Sequence, residues 1–326
     1  MELLLLGGTR FLSRAIAGTA RDRGIRVTCL ARGTAPVVAG VALVVADRDD
    51  EDGLRPVRDR HWDAVVDVSR QPGQVRRAVR DLTTEHWVFV SSGNVYARFD
   101  QLEQDETSET VDPLVGEVMA DMSEYGPAKV ACELAVRSGP APATLVRSGL
   151  IGGPGDWSGR SGYYPWRFAH PSGPDVLVPP DLDFPCALID VDDLASWIVH
   201  AAQRRVEGTF NATGPTTTLG DLLAVARRVA GSAVPARPVP AATLQRADVS
   251  SWMGPRSLPL WIDDADWRYF ATMNTTAARA HGLTTRPLEQ TLARALRYEQ
   301  TRDQPRQAGL TDDDEALLRT LKPFSR

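Results

Sequence analysis

Four consecutive leucines, Leu3 to Leu6, run directly into Gly7-Gly8 and then into a helical pattern from Phe11 to about Arg23, closed by Gly24. An unbroken apolar run this short reads as a strand buried on both faces, as in a parallel sheet. Glycine just past the last helical residue is a stop signal. The unit then recurs along the chain. Arg26–Ala31 and Val41–Ala46 read as the second and third strands, with a short helix over Leu54–Arg60. Ala64–Val68 is a fourth strand, Gly73–Leu82 a helix, and Trp87–Val90 a fifth strand ending at Ser91-Ser92. Strands alternating with helices at this spacing predict an α/β fold with a doubly wound parallel sheet.

Ligands of such sheets bind beyond the carboxyl ends of the strands, where Gly7, Arg32, Asp47, Asp67 and Ser92 all fall. In a Rossmann-type sheet the first turn, here Gly7-Gly8-Thr9-Arg10-Phe11-Leu12-Ser13, meets a pyrophosphate. Glycine lets the backbone approach it, and the following helix offers free N–H groups. Gly7, Thr9, Arg10, Phe11 and Leu12 are therefore candidate cofactor contacts, although Arg10 and Ser13 stand where a glycine-rich version of the turn has glycine. An acidic residue after the second strand would accept the ribose hydroxyls of NAD; this chain has Arg32, which suits a 2′-phosphate. NADP(H) is thus favoured over NAD(H). Asp47 is placed to bond the adenine amino group or to cap a helix near Asp49–Asp52. Arg48, Val68 and Ser91, also at strand ends, complete the set together with Tyr125 and Lys129.

Composition excludes several classes. With 326 residues the chain can bury a full core and divide into two lobes. A net charge of -5, with no basic run interleaved with aromatics, leaves no footprint for nucleic acid. No stretch approaches the roughly 20 apolar residues of a membrane span, and the leucine start lacks the basic lead of a signal sequence. Cys29, Cys132 and Cys186 are widely spaced and read as free thiols, and the five histidines show no metal-ligand spacing. The expectation is a cytoplasmic protein with a small-molecule substrate and no metal. Its wealth of arginine and alanine is that of a high-GC bacterial source.

Tyr125-Gly126-Pro127-Ala128-Lys129 is conspicuous because the chain has six tyrosines and only two lysines, Lys129 and Lys322. A helix from Ser123 or Glu124 through Val136 puts Tyr125 and Lys129 on one face, a turn apart. A phenol beside a fixed ammonium loses its proton more readily, which suits it to acid–base work.

An acidic, helix-poor loop (Gln101 to Glu117) precedes that helix. Beyond it come a sixth strand over Ala143–Val146, a strand over Cys186–Asp190, a helix over Asp193–Ala202 and a strand over Gly208–Ala212. Helices follow over Leu219–Ala230, from Pro287 to about Thr301, and from Thr311. The Pro-rich Val234–Pro240 reads as an extended connector. Two aromatic sets, one from Trp157 to Phe168 and one from Trp252 to Phe270, supply mostly core. Residues 1–155, with 186–214 returning to them, form the expected dinucleotide-binding domain; 156–185 and 215–326 form a smaller C-terminal substrate lobe. Asn94, Trp157, Tyr164 and Trp252 are the candidate substrate contacts. The helices over Gly73–Leu82 and Tyr125–Val136 offer a face for a homodimer.

Gly7-Gly8-Thr9, Ser91-Ser92-Gly93-Asn94-Val95-Tyr96 and the Tyr125/Lys129 pair, in this order, resemble the extended short-chain dehydrogenase/reductases. More narrowly, the chain is similar to atypical members of the NAD(P)-dependent epimerase/dehydratase group. Arg147 through Pro154, Asp190 through Ala195 and Gly208 through Pro215 extend the likeness over most of the chain. It implies that Ser92 bonds the substrate oxygen, Tyr125 exchanges a proton with it, and Lys129 eases that exchange and holds the nicotinamide ribose. Dehydratases of the group carry an acidic pair where this chain has Gly93-Asn94, and many nucleotide-sugar epimerases have Asn where it has Leu150. The expectation is therefore an NADPH-dependent oxidoreductase, reducing a ketone, aldehyde or imine on a small apolar or aromatic substrate. A nucleotide-sugar epimerase is the alternative, and a non-catalytic dinucleotide-binding regulator or RNA-associated protein the third reading.

Overall fold

The leucine run divides two by two. Leu3 and Leu5 pack with Val27, Cys29, Val66 and Val88 on one face of the sheet, while Leu4 and Leu6 pack with Leu30, Val65 and Phe89 on the other. Side chains along a strand alternate in direction, so a strand covered on both faces needs apolar residues at every position. Each buried leucine contributes roughly 1.5–3 kcal/mol.

The computed structural model describes residues 1–321; Lys322 and the residues after it lie outside. Its sheet comprises β1 (Glu2–Leu6), β2 (Arg26–Ala31), β3 (Ala42–Val45), β4 (Ala64–Asp67), β5 (Trp87–Ser92), β6 (Ala143–Ser148) and β7 (Gly208–Ala212). All seven are parallel, in the order β7-β6-β5-β4-β1-β2-β3. The order reverses between β1 and β4, whose ends therefore diverge into a crevice. This is the doubly wound Rossmann-type α/β sheet expected from the sequence. Helices α1 (Phe11–Asp22) and α5 (Val191–Arg204) cover one face; α2 (Pro72–Asp81) and α3 (Tyr125–Arg137) cover the other.

A separate core holds the C-terminal residues. It joins α4 (Arg160–Ala169), α6 (Leu219–Val229) and α7 (Leu288–Glu299) through Tyr163, Tyr164, Phe168, Leu222 and Leu292. The last helix, α8 (Asp312–Thr320), begins with a capping box between Thr311 and Asp314.

Three local expectations differ from what is found. The first aromatic set contains a helix, α4, despite Pro165 inside it; its rings alternate too irregularly to show a period. The single strand expected over Cys186–Asp190 is two short pairings. Pro185–Cys186 runs antiparallel to Thr217–Thr218, and Ile189–Asp190 runs parallel to Ile151–Gly152. No helix forms over Asp49–Asp52, although the short helix expected over Leu54–Arg60 is present at Arg55–Arg58. Residues 49–54 turn tightly instead, so closely that a Cβ at Gly53 would lie 1.9 Å from the Asp47 carbonyl oxygen.

The acidic loop has no helix, and its backbone is fastened to the sheet edge. Asn211 donates its backbone N–H to Glu106 (2.7 Å) and its side-chain amide to the Gln104 carbonyl (3.1 Å). Arg147, bound through two nitrogens to Glu133, also reaches the Glu106 carbonyl.

His86 is wholly buried, with one ring nitrogen 2.8 Å from the Thr144 hydroxyl. That hydroxyl donates to the Val206 carbonyl, so the ring nitrogen donates to Thr144. Burial pushes its pKa down to about 4. The unfolded chain, with His near ~6.5, binds more protons between these values, so stability rises with pH across that window. It is fully present above ~6.5 and lost as pH falls toward 4, by at most about 1.4 kcal/mol per pH unit. Urea midpoints at pH 7 and pH 5 are expected to separate more in the native protein than in His86→Gln. Equal separations would assign the acid loss to other groups.

Candidate active site

Asp121 starts the local geometry. Its carboxylate accepts the Ser123 N–H at 2.8 Å and caps a single 3-10 turn, Met122–Glu124, that leads into α3. Tyr125 is thereby the first residue of α3, and Lys129 follows one turn later on the same face. Lys129 is 3% exposed; its ammonium donates to the Ser69 carbonyl (2.6 Å) and the Val90 carbonyl (2.7 Å). It lies 4.7 Å from the ring centre of Phe89 and 5.9 Å from that of Tyr125. Two of its three donors are thus satisfied by main-chain oxygens, and the third has no protein acceptor among the described residues.

Ser92 ends β5. Its hydroxyl donates to Asn94 Oδ1 at 2.9 Å and accepts the Asn94 N–H at 3.3 Å. Gly126 brings this turn against α3: a Cβ there would lie 2.3 Å from the Asn94 carbonyl oxygen. Any larger residue at 126 would push Tyr125 and Ser92 apart. Ser91, by contrast, points a buried hydroxyl into protein, where it has no partner among the described residues.

Beyond the strand ends lies a cavity of about 660 Å³. Of the predicted cofactor contacts, Gly7, Thr9, Arg10, Arg32, Asp47, Arg48 and Val68 line it. Leu12 is buried in the sheet core, and Phe11 packs beneath Gly155 instead. Glycine is required in the first turn. Gly7 and Gly8 have φ of +129° and +109°, and a Cβ on Gly8 would meet Cys29 Sγ at 2.3 Å. Ser13, at one of the glycine positions of the motif, donates its hydroxyl to the Arg10 carbonyl at 2.7 Å and so closes the turn itself.

Arg10 and Arg32 are exposed at the cavity mouth, and neither guanidinium has a protein partner among the described residues. Arg48 differs. Its guanidinium grips Asp67 through two nitrogens (2.8 and 2.9 Å) and donates to the Gln74 carbonyl (2.8 Å). Asp67 also accepts the Ser69 N–H at 2.8 Å. Arg48, Asp67, Ser69 and Lys129 therefore form one connected chain from the cavity wall to the ammonium.

The sequence reading missed Ser69, Arg70, Gln71 and Gln74, which also line the cavity. They follow β4 directly, so the strand-end rule could have found them. Of the substrate candidates, Asn94 lies beside Ser92, and Trp157 lines the cavity at the strand ends. Tyr164 is wholly buried in the C-terminal core, donating to the Pro259 carbonyl at 3.0 Å. Trp252 stands half-buried, edge-on to Phe270 with ring centres 5.3 Å apart. Burial pushes the thiols of Cys29, Cys132 and Cys186 each up to about 12, which leaves them inert as nucleophiles.

No protein-family model and no curated protein matches the sequence. Solved structures do match in fold. UDP-glucose 4-epimerase from Thermotoga maritima, solved with UDP-glucose, superposes with a TM-score of 0.65 at 16% identity, covering 92% of this chain and 99% of its own. The Bordetella bronchiseptica enzyme WbmG, in complex with NAD and UDP, gives 0.67 at 15% identity, with 91% and 94% covered. UDP-glucose 4-epimerase from Thermus thermophilus, complexed with NAD, gives 0.62 at 19% identity, with 92% and 99% covered. At these identities the likeness establishes the fold, and it is the fold that the short-chain dehydrogenase/reductase resemblance implied. No helix among the described residues is long and apolar enough to cross a membrane.

Proposed function

We propose that this chain is a nicotinamide-dinucleotide-dependent enzyme that oxidises and reduces a secondary carbinol carbon, with Tyr125 as general acid–base. The observation that carries the reading is the placement of Lys129. Its ammonium is held by the Ser69 and Val90 carbonyls on the face of α3 that bears Tyr125, while Gly126 draws the Ser92 turn against the same helix end. The cavity fits the dinucleotide: glycines open the first turn to a pyrophosphate, and the unpaired arginines at the mouth suit phosphate. Gly7, Thr9, Arg10, Arg32, Asp47 and Val68 would hold it. When bound, the nicotinamide supplies or accepts the hydride. Tyr125 would pass a proton to or from the substrate oxygen, Ser92 would turn its hydroxyl from Asn94 Oδ1 to donate to that oxygen as charge develops, and the remaining donor of Lys129 would serve the ribose.

The fold neighbours favour one use of this chemistry, oxidation and re-reduction within a single turnover, which inverts a carbinol centre of a nucleotide sugar. Three of them are NAD- or UDP-sugar-bound epimerases or enzymes by their descriptions. Epimerisation thus moves ahead of net reduction, the use expected from sequence. Net reduction with NADPH remains the second reading because Arg10 and Arg32 both lack a partner among the described residues. Incubation with UDP-glucose and NAD, followed by carbohydrate analysis, tests the first; steady consumption of NADPH with a carbonyl panel tests the second.

Cofactor choice is read by titrating NADPH and NADH and following energy transfer from tryptophan to nicotinamide. Loss of a charge-assisted contact costs about 1.5–3 kcal/mol. Arg32→Ala is therefore expected to weaken NADPH by roughly ten- to a hundred-fold and to leave NADH unchanged. A native protein that prefers NADH and does not respond to Arg32→Ala would remove the NADP branch.

A further inference from the structure

Most buried or partly buried arginines of this chain face a carboxylate: Arg48 on Asp67, Arg147 on Glu133, Arg167 on Asp312, Arg286 on Asp193, Arg294 on Asp190. Arg160, the partly buried first residue of α4, does not. Its Nε donates to the Ser158 hydroxyl at 3.2 Å, and its two terminal nitrogens have no protein acceptor among the described residues. The neighbouring Asp156 is already committed. Its carboxylate accepts from the Ser158, Gly159 and Ser161 backbone N–H groups (3.0, 3.3 and 3.0 Å) and from the Ser158 and Ser161 hydroxyls (2.6 and 2.8 Å). These five bonds build the loop that presents Arg160 and leave no lone pair for it.

The guanidinium lies 4.8 Å from the ring centre of Trp252. Trp252 has φ of +65°, a left-handed conformation that costs a non-glycine residue on the order of 1–2 kcal/mol. Phe270 holds its ring edge-on, and Phe270 in turn meets Phe99 at 5.0 Å. Met273, in the same aromatic wall, closes over the Ser92 turn: its sulfur would be 3.1 Å from a Cβ at Gly93. On the other side, Trp157 of the Arg160 loop lines the cofactor cavity, and Gly155 touches Phe11. Arg160 thus stands between the cofactor wall and the aromatic wall leading to Ser92.

We propose that Arg160, stacked on Trp252, is the clasp for an oxyanion substituent of the substrate, phosphate or carboxylate, beside the aromatic wall that leads to Ser92. The inference rests on the hydride-transfer reading of the Ser92–Tyr125–Lys129 site. A stacked guanidinium keeps its planar edge free for two parallel hydrogen bonds to one oxyanion. It is also desolvated, and its nearest carboxylate, Asp156, is taken up by loop donors, so an anionic ligand offsets part of that cost. A nucleotide sugar offers a diphosphate, and a small acid a carboxylate. The aromatic wall beside it takes the apolar part of either.

The test is calorimetric titration of the full chain with UDP, inorganic pyrophosphate and benzoate. An Arg10→Ala/Arg32→Ala background prevents the cofactor mouth from taking the probes. At least one anion is expected to bind, at least ten-fold more weakly after Arg160→Gln, with Arg160→Lys in between. Binding of UDP or pyrophosphate alone identifies phosphate as the source, and binding of benzoate alone identifies carboxylate. Thermal melting checks that the variants fold; should Arg160→Gln not fold, Trp252→Ala, which removes the stack but keeps the charge, must weaken the same probe several-fold. Equal affinity in the variants, or no binding of any probe, overturns the proposal. Cofactor titration of the native protein decides the hydride-transfer reading separately. Anion binding lost on Arg160→Gln in a protein that binds no nicotinamide would remove that reading and leave the clasp.

Discussion

Tyr125→Phe is expected to lower turnover by about 10²- to 10⁴-fold, the range that a positioned acid–base group supplies. Cofactor affinity should stay within a few-fold of the native value. The substitution keeps the ring and removes only the hydroxyl. Lys129 does not depend on that hydroxyl, because its ammonium is anchored by the Ser69 and Val90 carbonyls. Helix α3 should therefore retain its place, and the change should appear in kcat rather than in cofactor binding. The comparison is made on whichever reaction the native protein shows, epimerisation of UDP-glucose or oxidation of NADPH with a carbonyl. Full turnover in Tyr125→Phe would sink the assigned mechanism and leave only the proposed dinucleotide cavity.

Breaking the ion pair under the cavity should produce the largest loss of stability. Asp67 is fully buried and Arg48 is 9% exposed. Removing one partner leaves an uncompensated buried charge, at a cost of about 3–5 kcal/mol. Arg48→Met or Asp67→Leu alone is expected to fall in that range by urea denaturation. The double variant should be less destabilised than either single variant, because it buries no charge at all. Asp67 also holds the Ser69 N–H, and Ser69 holds Lys129, so the single variants should bind cofactor more weakly even where they fold. A single variant that loses less than about 1 kcal/mol would show that water reaches the pair and that the chain of contacts is not a support.

Arg48 shows where local reading stops. Its place after a strand predicts a cofactor contact, and it does line the cavity, but its charge is spent on Asp67. These residues are nineteen apart in sequence, and the sheet order β4-β1-β2-β3, with the turn after β3, brings them together. Tyr164 is similar. An aromatic residue in a ring-rich segment suits core or substrate equally well, and the packing of α4 against α6 and α7 decides for the core. Nothing in the sequence singles out Arg160, because an arginine carries its charge everywhere and its missing partner becomes visible only once the other arginines have found theirs.

The sequence by itself determined the sheet, its strand ends and the Tyr125–Lys129 face. These follow from short-range physics: alternation along strands, helical spacing, and turns that only glycine can make. Tertiary structure alone decided which charges are paired and which rings are buried. Ion pairs and packing are long-range contacts, set by which strands lie side by side, and no local pattern of residues encodes them.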